Sequence, residues 1–188
     1  MSRILLAYIT GEGQTARVAN CLAETFQRQG HTVEIGDIRE MPEYISFTGV
    51  DGIVIGASIH RGHYPGELMK FVKKNLDKIE QMPSAFFTIC LSAASEQPED
   101  QVQAQAYVEQ VIDETNWRPE QAAAFAGALQ YSKYGLIKRY ILRSIAKRQG
   151  NDTDMSHDYE YTDWQSVEQF ADTFVTTLES VEPLLEPA

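Results

Sequence analysis

The chain has 188 residues, 43% of them apolar and 23% charged, which suits one globular domain with a real core and excludes disordered and fibrous classes. Its 27 acids outweigh 16 bases, a formal net charge of −11, so the basic footprint of a nucleic-acid-binding domain is absent. Two cysteines, Cys21 and Cys90, are too few for a disulfide framework and are expected to be buried, reduced thiols of a cytoplasmic protein.

The first apolar run, Ile4 to Ile9, spans only six residues, too few for a signal-peptide core or a membrane span. It is continuous rather than alternating, as in a strand buried on both faces of a parallel sheet, and Thr10-Gly11 ends it. A helix is expected from about Gln14, with Val18, Leu22 and Phe26 on one stripe and Gly30 just past its end. Thr32 to Ile35 predicts a short second strand and Gly52 to Ala57 a third, again apolar on both faces. Leu68 to Ile79 has helical spacing, with Leu68, Phe71, Val72, Leu76 and Ile79 on its apolar side. Ala85 to Leu91 predicts a fourth strand, and Glu99 to Thr115 a helix with Val102, Ala106, Val108 and Val111-Ile112 turned inward. Ala122 to Gly127 is expected as a fifth strand, although its alanines also favour helix. A last helix is predicted from Trp164 to about Leu178, capped by Thr162 or Asp163, with an acidic tail beyond Ser180. Strands alternating with helices in this way imply a doubly wound, five-stranded parallel sheet with helices on both faces.

Residues from about 128 to 161 break the alternation and predict an insertion before the last helix. Between Glu120 and Asp152 there is no acid, while Lys133, Lys138, Arg139, Arg143, Lys147 and Arg148 fall there. The rest of the chain carries all 27 acids against ten bases, or −17, an asymmetry that marks an interaction surface. Within the window, Ile137, Ile141 and Ile145 form one row at helical spacing and Arg139, Arg143 and Lys147 another, with Lys138 intruding on the apolar side. Such a helix can lie in an anionic membrane surface or bind substrate carboxylates; equally, its isoleucines can pack on the domain and leave the bases in solvent.

Thr10-Gly11-Glu12-Gly13-Gln14-Thr15 follows the first strand and opens the first helix, where backbone N–H groups and the helix dipole favour a phosphate. A P-loop would need Lys before the hydroxyl residue, and here Gln14 precedes Thr15. A dinucleotide fingerprint would have glycine at position 16, which is Ala16, although an acidic ribose partner stands about twenty residues on and keeps that reading open. What fits is a hydroxyl-rich cradle for one phosphomonoester, with Thr10 and Thr15 beside the amides. This loop resembles the FMN phosphate loop of the flavodoxin superfamily, which implies a flavodoxin-like fold and FMN as cofactor.

The third strand runs into Ser58-Ile59-His60-Arg61-Gly62-His63-Tyr64, and the fourth into Ser92-Ala93-Ala94. In a doubly wound sheet both lie at the ligand-binding edge, and His60, His63 and Tyr64 supply planar side chains for a flavin ring. Gly56-Ala57-Ser58-Ile59 with Gly62-His63-Tyr64, Met82-Pro83-Ser84-Ala85-Phe86, Trp117-Arg118-Pro119, Ala126 to Leu129 and Tyr161-Thr162-Asp163-Trp164 are similar to the flavodoxin-type, quinone-dependent protoporphyrinogen dehydrogenases. Ile9 departs from that pattern where a hydroxyl residue is usual, as does Ser92 to Glu96, which lacks basic residues.

The resemblance implies FMN-dependent oxidation of protoporphyrinogen IX, electrons passing to a membrane quinone at the cytoplasmic face, with the protein peripheral. His63 is then the candidate proton acceptor, and Arg61 the candidate stabiliser of the reduced, anionic flavin. A different class also fits the residues: a flavodoxin-like electron carrier that docks a redox partner through its acidic surface.

Overall fold

The computed structural model describes residues 1–42, 45–60, 62–129 and 158–181. Arg61, the predicted inserted helix with Lys138, Arg139, Arg143 and Lys147, and the tail beyond 181 lie outside the described residues. The elements are β1 (Arg3–Ile9), α1 (Gln14–Arg28), β2 (Thr32–Asp37), β3 (Gly52–Ser58), α2 (Gly66–Ile79), β4 (Ser84–Cys90), a 3₁₀ turn (Leu91–Ala94), α3 (Pro98–Thr115) and β5 (Gln121–Ala126). They are followed by β6 (Ala128–Leu129), β7 (Tyr159–Glu160) and α4 (Trp164–Val181).

Strands β1 to β5 form one parallel sheet in the order β2-β1-β3-β4-β5. The continuous apolar runs β1, β3 and β4 occupy its middle, where both faces are covered; the less apolar β2 and β5 form its edges. Side chains alternate between two cores. Ile4, Leu6, Val54, Phe87 and Phe125 meet α1 and α4 through Leu22, Phe26, Phe170 and Phe174. Leu5, Ala7, Ile9, Ile53, Ile55 and Phe86 meet α2 and α3 through Leu68, Val72, Val108 and Val111. Trp117, fully buried, stands edge-on to Phe86 at 5.9 Å and donates its indole N–H to Ser84 Oγ at 3.0 Å, so its one polar atom is satisfied.

All five predicted strands form, and α1, α2 and α4 carry the expected buried stripes. Gly30 closes α1 at φ +87°. Asp163 caps α4, accepting from the Gln165 and Ser166 amides at 3.0 and 3.3 Å. Helix α3 needs a correction: Val102 is 70% exposed and Ala106 lies in solvent, while the buried stripe is Ala104, Val108, Val111 and Thr115. The first turns of α3 are rich in Gln and Glu, so an isolated valine there does not fix the rotational phase. Cys90 is buried as expected, whereas Cys21 is only half-buried on α1; both are free.

The chain leaves β5 at Gly127 and returns through a two-residue antiparallel ladder, Ala128 opposite Glu160 and Leu129 opposite Tyr159. Tyr161 extends it by donating its N–H to the Gly127 carbonyl at 3.1 Å. Strand order reverses between β1 and β3, so the crevice at their carboxyl ends is where a ligand belongs.

Candidate cofactor site

The first wall of this crevice is the β1–α1 loop. Gly13 adopts φ +100°, a left-handed conformation that glycine enters without penalty, and serves as the N-cap of α1. Its N–H is taken by Thr10 Oγ1 at 2.9 Å, which closes the turn. No side chain caps the helix and no acid lies in its first turn. Among the described residues, no side chain caps the first turn of this fifteen-residue helix beyond the Thr10 hydroxyl on the Gly13 amide. Beside it, the hydroxyl of the fully buried Thr15 has no hydrogen-bond partner among the described residues. Burying such a group unpaired costs about 1–3 kcal/mol, so it points to a ligand atom.

The loop is held from the β2 side by two residues that sequence reasoning missed. Arg39 donates to the Thr10 carbonyl, and its Nη2 and Nε reach the buried Asp37 carboxylate at 2.6 and 3.0 Å. Burial pushes the Asp37 carboxyl up, but bonds from the Arg39 guanidinium, the Arg39 amide and the Thr10 amide outweigh it and hold it below its ordinary value. Thr10 is thus gripped at both its N–H and its C=O. An Asp-x-Arg at the carboxyl end of an edge strand was the signal available in the sequence.

The second wall is the β3–α2 hairpin. His60 and His63 exchange both backbone hydrogen bonds, at 3.0 and 3.1 Å, with Gly62 at φ +81° in the turn between them. The exposed His60 ring reaches across to the first wall. Its Nε2 lies 3.1 Å from Ser58 Oγ, and its ring occupies the place that a Cβ at Gly11 would take. Ile59 continues the sheet by donating to the Ile89 carbonyl at 3.0 Å. His63 is exposed at the hairpin end.

Tyr64 is placed differently from a flavin-facing ring. It is buried in the α2–α3 core, edge-on to Phe86, and its hydroxyl donates to the Tyr107 carbonyl at 2.9 Å; burial raises its pKa well above that of a free phenol. The third wall, Ser92 to Ala94, forms the 3₁₀ turn after β4, with Ser92 buried and the alanines half-buried. Burial pushes the adjacent Cys90 thiol up to about 11, with amides of Ala93 and Ser92 acting against it, so it is an inert group.

The structure thus brings Thr10 to Thr15, Ser58 to His60, Gly62, His63 and Ser92 to Ala94 to one edge of the sheet. A family model described as a flavodoxin domain matches residues 5–156, most of the chain. The chain belongs to the flavodoxin-domain family. A curated relative, the quinone protoporphyrinogen IX dehydrogenase of Escherichia coli K12, is 34% identical over 170 residues, covering 90% of this chain and 92% of its own. The enzyme of that name from Leishmania major is 28% identical over 182 residues, 96% of this chain and 78% of its own. Among solved structures, oxidised flavodoxin 1 of Bacillus cereus superposes with a TM-score of 0.56 at 17% identity, covering 93% of this chain and 98% of its own. A Streptococcus pneumonia TIGR4 flavodoxin gives 0.56 at 14% identity, covering 94% and 99%.

For a member of this family the open crevice can be tested against a flavin phosphate. The uncapped start of α1 and the orphaned Thr15 hydroxyl fit a phosphomonoester, and they need no basic side chain to do so. The Gln14 side chain does not face that ligand: it is buried and bonded to Glu160 and Thr162, leaving only its backbone N–H for the loop. Among the described residues, no helix is long and apolar enough to cross a membrane.

Proposed function

We propose that this chain is an FMN-dependent oxidoreductase that oxidises protoporphyrinogen IX to protoporphyrin IX and passes the electrons to a membrane quinone. The near full-length match to a relative bearing that name carries the reading, 34% identity over 90% of the chain. The crevice gives it a place to occur.

Bound FMN would supply a two-electron acceptor able to take a hydride from a substrate carbon and hand both electrons to a quinone. The chain's part is to hold and orient. With the Gly13 N–H already given to Thr10 Oγ1, the other amides of the loop and the Thr15 hydroxyl would bind the phosphate, and the Asp37–Arg39 clamp keeps Thr10 in register with them. Backbone groups of Ser58 to His60, Gly62 and Ser92 to Ala94 would flank a bound ring, with Tyr64 bracing the His60–His63 hairpin from within the core. His63, exposed at the hairpin end, accepts the pyrrole proton released with each hydride. Arg61 would offset negative charge on a bound flavin. Each two-electron step then removes one hydride and one proton from the substrate and yields one quinol.

Both substrate and acceptor are apolar and reside in or near a membrane. The row Arg139, Arg143 and Lys147, with Lys138 on the isoleucine side, would hold the protein peripherally on the cytoplasmic face of an anionic bilayer or bind the substrate propionates. Purified, FMN-loaded protein should convert protoporphyrinogen to fluorescent porphyrin faster than autoxidation in the presence of a quinone under exclusion of oxygen. No rate above that background rejects the assignment. Sedimentation with anionic vesicles should fall sharply when Arg139, Arg143 and Lys147 become Glu, and unchanged sedimentation rejects the membrane role.

A further inference from the structure

Gln14 is the first residue of α1, and its backbone N–H belongs to the candidate phosphate loop while its side chain points elsewhere. That side chain is only 6% exposed. Its Nε2 donates to Thr162 Oγ1 at 2.9 Å and to Glu160 Oε1 at 3.1 Å, and its Oε1 accepts from Arg17 Nη1 at 3.2 Å. Thr162 hands its own hydroxyl hydrogen to the carbonyl of Ala126, the last residue of β5, at 2.8 Å. Glu160 takes a further bond from Arg17 Nη1 at 3.0 Å, and the Arg17 guanidinium lies 5.4 Å from the Trp164 ring centroid. The network joins the start of α1, the end of β5 and the returning strand β7, with its donors and acceptors matched.

From this geometry we propose that Gln14 is a positioning residue: it couples binding of a phosphate at the start of α1 to pairing of β7 with β6. The inference rests on the flavin reading above and adds a link between the cofactor loop and the base of the insertion. Amides at a helix N-terminus converge on an anion only while the first turn keeps its angle. Gln14 fixes that angle against Thr162 and Glu160. By linkage the converse holds: a phosphate that orders the first turn also orders the residues bonded to Gln14, and the two effects share one coupling factor.

The test compares FMN with riboflavin, which lacks the phosphate. Flavin-fluorescence titrations would be run on the wild type, Gln14→Ala, Glu160→Ala and Glu160→Gln. Amide exchange of Tyr161, whose N–H bonds Gly127 in the neck, would be followed with each flavin. Gln14→Ala should weaken FMN about tenfold, the order expected for a lost buried hydrogen-bond pair, and leave riboflavin within about twofold. Glu160 is exposed, so Glu160→Ala keeps the experiment open if Gln14→Ala fails to fold; it should shift FMN in the same direction by less. Glu160→Gln, which retains an acceptor for Gln14, should stay near wild type. FMN, but not riboflavin, should slow Tyr161 exchange in the wild type, and the effect should vanish in Gln14→Ala. Equal loss of FMN and riboflavin affinity, or Tyr161 exchange indifferent to FMN, overturns the coupling. A wild type that binds riboflavin as tightly as FMN overturns the phosphate reading itself.

Discussion

Gly11→Ala isolates the contact between the two main walls of the crevice. Gly11 is absent from the positive-φ residues, so alanine meets no backbone penalty there and the effect is steric. The new Cβ would overlap the His60 imidazole, with Cε1 at 2.5 Å and Cδ2 at 3.2 Å. The ring is exposed and can swing out, but only by giving up its bond to Ser58 Oγ at 3.1 Å and leaving its rotamer. Water takes the place of that exposed hydrogen bond, so the cost is mainly that of leaving the rotamer, about 0.5–1.5 kcal/mol. In His60→Ala the obstacle is gone, and adding Gly11→Ala should cost less than about 0.5 kcal/mol more. The control is Gly13→Ala: its Cβ would meet nothing within 4 Å, but φ is +100°, so it should cost about 1–2 kcal/mol with or without His60. Urea unfolding of these single and double variants gives the coupling energy directly. Additivity of Gly11→Ala and His60→Ala within about 0.3 kcal/mol would show that ring and loop do not touch and would refute the two-walled crevice.

Three further outcomes follow from individual residues. Thr15→Val removes the orphaned hydroxyl, so cofactor-free stability should hold or rise by up to about 1 kcal/mol while FMN affinity falls about tenfold; loss of stability with affinity intact would show the hydroxyl is already paired in the protein. Asp37 has a folded pKa below its ordinary 3.8, so its stabilisation is complete above that value and is lost as pH falls through the lower folded pKa. Asp37→Asn should flatten the stability profile below about pH 4, measured by urea midpoints, and an unchanged acid limb would remove the clamp from the argument. Gly56→Ala should destabilise by about 1–3 kcal/mol or more, because its Cβ would overlap the buried Phe87 ring, with Cε2 at 2.7 Å; a thermal midpoint equal to wild type contradicts that packing.

The parts of the fold that the sequence made legible are those in which burial writes itself into consecutive residues. β1, β3 and β4 are covered on both faces and read as unbroken apolar runs, which placed the sheet and, with it, the three loops at its carboxyl edge. α4 shows its buried face at helical spacing because nearly all of that face is used. α3 does not: few of its residues pack inward, its first turns are polar, and Val102 therefore misled the choice of face. Glycine spacing located the β1–α1 turn because positive φ at Gly13 and close approach at Gly11 are demands of the backbone itself.

Side-chain allegiance is harder to read, because it depends on partners distant in the chain. Gln14 sits inside a loop whose pattern assigns every residue to a ligand, yet its amide bonds residues 146 and 148 positions away. Tyr64 lies in a hairpin that the same logic gives to the ring, yet its hydroxyl finds a backbone carbonyl 43 residues on and its ring fills a core. In both cases a polar side chain made its hydrogen bonds within the protein before any ligand could claim it. Thr15 had the same opportunity and did not take it. That difference, invisible in a motif, is what separates a residue that builds the crevice from one that waits for its occupant, and it makes Thr15 rather than Gln14 the side chain on which the phosphate reading stands.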